Sequence, residues 1–127
     1  MKFKYTILYV NSVSETLEFY KNAFGLKIRF LHEAGDYGEL DTGDTYLAFS
    51  SLQLMSDLGK NPAAANPSAP AFEIAFETEA VEDSLKKAVK HGATLVQDIK
   101  TEPWGQTTSY VSDPNGFLIE ICSPVKQ

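Results

Sequence analysis

With 127 residues, 43% hydrophobic and 22% charged, the chain has the size and balance of one soluble globular domain able to bury a core without staples. A net charge of −6, with eleven basic residues scattered along the chain, argues against nucleic acid as a partner. The lone cysteine, Cys122, excludes an internal disulfide and fits a reducing, cytoplasmic compartment, while no apolar stretch has the length of a signal peptide or a membrane span.

The first predicted strand covers Phe3 to Val10, with Phe3, Tyr5, Ile7 and Tyr9 on one face and Lys4, Thr6, Leu8 and Val10 on the other. Ser12-Val13-Ser14-Glu15 is a capping-box pattern that starts a helix. Val13, Leu17, Tyr20 and Phe24 follow at helical spacing, and Gly25 is placed to end the helix. Strands are predicted at Leu26 to Leu31, Tyr37 to Leu40 and Tyr46 to Ser50, the last two joined by the turn residues Asp41-Thr42-Gly43-Asp44. From Leu52 to Pro70 the periodicity breaks, and Asn61 to Pro70 has a linker's composition. The programme then repeats. Phe72 to Phe76 reads as a strand, and a helix carries Val81, Leu85, Ala88 and Val89 on one face before ending at Gly92. Strands follow at Thr94 to Ile99, Thr107 to Ser112 and Phe117 to Cys122, with Asp113-Pro114-Asn115-Gly116 turning the last pair. The halves align at an offset of roughly 67 to 72 positions, an internal duplication. The expected organisation is a single domain over 1–125, with modules at about 1–52 and 71–125 and a linker at about 53–70.

This α+β pattern of two βαβββ modules resembles the vicinal oxygen chelate superfamily of glyoxalases, bleomycin-resistance proteins and extradiol dioxygenases. The residues that carry the resemblance are Tyr9-Val10, Ser12-Val13, Thr16-Leu17, Phe19-Tyr20, Phe24-Gly25-Leu26 and Leu40-Asp41-Thr42-Gly43. In the second half they are Pro103-Trp104-Gly105-Gln106 and Asp113 through Glu120. The resemblance implies curved mixed sheets around a pocket, commonly in a homodimer. It also implies four metal-ligand positions, which fall here on Tyr5, Ala48, Glu73 and Glu120. One of these carries no donor and none is histidine, whereas zinc, nickel and iron sites are normally built with imidazole. Tyr5, Glu73 and Glu120 offer only oxygen, which suits a weakly held Mg²⁺, Mn²⁺ or Ca²⁺ if a metal binds.

Strand alternation marks the two glutamates without reference to any family. Glu73 interrupts Phe72-Glu73-Ile74-Ala75-Phe76 and Glu120 interrupts Leu118-Ile119-Glu120-Ile121-Cys122, so both point away from the helix side. Buried there, each needs a partner or a proton, and a facing pair would act as acid or base. Tyr5, Ile7, Tyr9, Tyr46, Ala48, Ser50, Trp104 and Tyr110 are the predicted ligand-lining set. His91 reads as a helix-end residue, His32 as exposed and Cys122 as inert core. The expected function is small-molecule binding of the bleomycin-resistance type, such as drug sequestration, with no cofactor. The alternative is a divalent-metal-dependent lyase, isomerase or dioxygenase in which Glu73 and Glu120 ligate the metal or move the proton.

Overall fold

Ser12 stands in extended backbone at the end of β1 (Tyr5–Val10), and its hydroxyl accepts the Glu15 N–H to start α1 (Val13–Phe24). Gly25 takes the left-handed conformation, φ 70°, that ends the helix. These positions belong to a computed structural model that describes residues 1–125. The chain divides into two units, Met1–Ala64 and the residues from Ala65 onward.

In the first unit α1 is followed by β2 (Lys27–Leu31), β3 (Tyr37–Asp41) and β4 (Tyr46–Ser51). They form a four-stranded mixed sheet in the order β1-β4-β3-β2, with β1 parallel to β4 and the other pairs antiparallel. One face packs on α1: Leu8, Val10, Leu40, Leu47 and Phe49 are buried with Val13, Leu17 and Tyr20. Tyr20 stacks against Phe49 at 5.2 Å between ring centroids. The helix lies so close to β3 that a Cβ on Gly38 would stand 2.7 Å from Leu17 Cδ1 and 3.1 Å from both Val13 Cγ1 and the Phe30 carbonyl. After β4 the chain does not go straight into a linker. Ser51 caps a short helix, α2 (Leu52–Asp57), by accepting the Leu54 N–H, and Met55 is buried. This corrects the reading of a pattern break from Leu52.

The second unit repeats the order with β5 (Glu73–Glu77), α3 (Val81–Lys90), β6 (Thr94–Thr101), β7 (Thr107–Ser112) and β8 (Leu118–Cys122). The sheet order β5-β8-β7-β6 and the strand directions match those of the first unit. Val81, Leu85 and Ala88 of α3 are buried together with Val111, Ile119 and Ile121. Ser109, at the register equivalent to Gly38, is fully buried and donates its hydroxyl to the Ile121 carbonyl at 2.9 Å. The β7–β8 turn is held by Asp113, whose carboxylate accepts the N–H groups of Asn115 and Phe117.

Two assignments need correction. Phe72 lies outside β5 and is exposed, resting edge-on against Phe117. Val89 is exposed as well. It lines, with Leu85, Leu95, Asp98 and the stems of Lys86 and Lys90, an open groove of about 490 Å³ between α3 and β6. Among the described residues no helix is long and apolar enough to cross a membrane.

Candidate functional site

In the second sheet Tyr110 on β7 stands directly opposite Glu120 on β8, and Ala75 on β5 stands on Glu120's other side. All three occupy the face turned away from α3, because Val111, Ile119 and Ile121 alternate with them into the core. The Tyr110 hydroxyl donates to Glu120 Oε2 at 2.7 Å. Glu73, two residues before Ala75 on the edge strand, is close enough to act on the same hydroxyl. Burial is the first cause that pushes the Tyr110 phenol well above its ordinary range, followed by the hydrogen bond to Glu120, the Glu120 charge and then Glu73. Tyr110 is therefore held as a neutral donor.

Cys122 shares this face. Its thiol sits 3.7 Å from the Phe76 carbonyl and is pushed up to about 11 by burial first and then by Glu120, Glu77 and Glu73. The expected inert thiol matches this setting. Beyond it, Thr108 donates to Glu102 Oε1 at 2.9 Å, and Lys100 lies 3.8 Å from Glu102. Trp104 is 60% exposed in the loop between β6 and β7, its indole N–H donating to Gln106 Oε1 at 2.9 Å. Gln106 in turn donates to the Ser123 carbonyl, which ties the loop to the end of β8.

The charge balance sets this cluster apart. Among the described residues, no Lys or Arg lies within ion-pair distance of Glu73 or Glu120. Glu120 is half-buried, but Glu73 is exposed, and this corrects the expectation of two buried carboxylates. Strand parity places both on the face away from the helix, while the edge position of β5 leaves Glu73 in water.

The matching face of the first sheet carries the other predicted lining residues. Tyr5 pairs in register with Tyr46, Ile7 with Ala48, and Tyr9 with Ser50. Tyr5, Ile7, Tyr9 and Tyr46 are exposed or half-buried, whereas Ala48 and Ser50 are fully covered and present no side chain to solvent. Three residues that were not predicted join them. Glu39, opposite Ala48, is buried, accepts the Tyr37 hydroxyl at 2.7 Å and is paired with Arg29 Nε at 3.4 Å. Burial first, and then the bond to Glu39, raises the Tyr37 phenol as it does Tyr110. Each unit thus has one tyrosine–glutamate bond on this face, and Arg29 neutralises that of the first unit alone. The signal for Glu39 was present in Tyr37-Gly38-Glu39-Leu40-Asp41, which alternates as the later strands do.

The histidines take no part. His91 closes α3 through its backbone N–H, and His32 accepts the Ala34 N–H in a turn. Among the described residues no three His, Cys, Asp or Glu side chains group as a metal site. In the second unit the available donors are two carboxylates and a phenol that keeps its proton, a set that does not fit zinc, nickel or iron.

A family model described as a glyoxalase-like domain matches residues 3–126. The chain is 27% identical over 124 residues to the uncharacterized protein YraH of Bacillus subtilis, covering 95% of this chain and 97% of that one. A glyoxalase-related enzyme from Fulvimarina pelagi shares the fold at a TM-score of 0.83 and 22% identity, over 98% of this chain and 88% of that one. A glyoxalase/bleomycin resistance protein/dioxygenase family enzyme from Burkholderia phytofirmans does so at 0.79 and 19% identity, over 97% and 98%. The duplicated βαβββ architecture and the matched span together place the chain in the glyoxalase-like domain family, within the vicinal oxygen chelate superfamily.

Proposed function

We propose that this protein binds a cationic aromatic small molecule at Glu120, Glu73 and Tyr110, and sequesters it without turnover and without a metal. The observation that carries the reading is the unbalanced charge of this cluster: two carboxylates have no cationic partner among the described residues. Tyr110 fixes Glu120 through Oε2. A ligand ammonium would take the remaining oxygen as a charge-assisted hydrogen bond. The exposed indole of Trp104 offers the same unit an aromatic surface for a flat cation. A tyrosine held neutral and a thiol raised to about 11 supply no base or nucleophile near neutral pH, which favours binding over catalysis.

The test uses protein purified without a histidine tag, melted in the presence of arylalkyl amines and their neutral alcohol analogues, with elemental analysis of the same sample. The expected result is stabilisation by the amines alone in a metal-free protein. Stoichiometric manganese, zinc, nickel or iron that survives purification would overturn the proposal in favour of a metal-dependent lyase, isomerase or dioxygenase.

A further inference from the structure

The first unit carries a cluster of opposite sign. Two cations converge on the ring of Tyr46: Arg29 Cζ stands 4.4 Å from its centroid and Lys4 Nζ 4.6 Å. One carboxylate, Glu39, answers them, and it meets Arg29 through Nε at 3.4 Å. A guanidinium is planar, so with Nε turned to Glu39 at least one terminal Nη points away from that carboxylate. Among the described residues no carboxylate lies within ion-pair distance of Lys4. The ring beneath fixes the orientation of the fork, which lowers the cost of ordering it on a ligand. Beside this cationic end lies an apolar surface: Tyr5 packs 5.8 Å from Tyr46 and is 45% exposed, and Ile7, one pair further along the strands, is 44% exposed.

We propose that Lys4, Arg29 and Tyr46, with Tyr5 and Ile7, form a binding site for an aromatic carboxylate. The carboxylate takes the free edge of the Arg29 guanidinium and the Lys4 ammonium, and its ring lies on Tyr5 and Ile7. The site is contained in the first unit and does not rest on the amine site proposed for the second. Its electrostatics are reversed, so the two readings succeed or fail separately.

The experiment is a titration of the ¹⁵N- and ¹³C-labelled full chain with benzoate at low salt, followed by NMR. The expected result is saturable shifts confined to Lys4, Tyr5, Ile7, Arg29 and Tyr46, with affinity in the millimolar range. Arg29→Lys keeps the charge but not the fork and should weaken benzoate at least fivefold. Lys4→Gln, which leaves the Arg29–Glu39 pair in place, should weaken it at least threefold. Cyclohexanecarboxylate should bind more weakly, and benzylamine should leave these resonances unmoved. Absence of saturable shifts overturns the proposal, as does equal affinity in both variants. Inorganic phosphate matching benzoate would also refute it, by showing a bare counterion effect.

Discussion

Tyr110→Phe removes one oxygen from the second sheet and isolates the interaction on which the acidic cluster is built. The lost hydrogen bond spans 2.7 Å to a carboxylate and is partly shielded from water. A bond to a charged group contributes about 1.5–3 kcal/mol when well buried, and partial exposure brings the expected loss to about 1–2 kcal/mol. Urea unfolding at pH 7 reads this as a midpoint lower by roughly 0.5–1.5 M. The dependence on pH adds a second constraint. Because the folded phenol is raised, the unfolded chain gives up this proton first as pH climbs past about 10. The Tyr110 contribution is then complete below pH 10 and is lost as pH rises toward the folded value. The wild type should therefore lose stability faster than Tyr110→Phe above pH 10, and the difference between them should shrink. A variant as stable as wild type at pH 7, or a difference that grows in alkali, would refute the reasoning.

Other expectations follow from packing and local bonds. Gly38→Ala drives a methyl to 2.7 Å from Leu17 and against the Phe30 carbonyl, and should cost about 1–3 kcal/mol, seen as a melting temperature lower by roughly 3–10 °C. Ser12→Ala removes the side-chain acceptor at the start of α1 and should cost about 1 kcal/mol in urea unfolding. Cys122, raised to about 11, should react with iodoacetamide at pH 8 roughly a hundredfold more slowly than an unperturbed thiol, and at the unperturbed rate once the chain is unfolded.

Much of this architecture is legible in the residue pattern because duplication repeats each signal. Ser12 with Glu15, Gly25, and the Asp113–Gly116 turn act through local bonds, and each sits where its residue type implies. What escapes is decided at longer range or over too few residues. Helix α2 spans only six residues, too short for a helical period to show beside the proline-rich stretch that follows. Val89 continues the apolar stripe of α3, but β6 is an edge strand with two register shifts and leaves Val89 uncovered. Parity alone assigns Glu73 and Glu120 to one face, yet their exposure depends on strand order, which sets Glu73 on an edge and Glu120 inside the sheet. The partnership of Arg29 with Glu39 crosses strands beside a bulge between Ile28 and Phe30, so no fixed spacing announces it.

The ion-pair pattern leaves Glu120 without a cation of its own, and the proposed amine site stands on that. Calorimetric titration of phenethylamine into wild type and Glu120→Gln, at low and at raised salt, tests it most directly. Saturable binding in the wild type that weakens with salt and falls at least tenfold in the variant is the expected result. Equal affinity in the two proteins, or no binding to either, would contradict it.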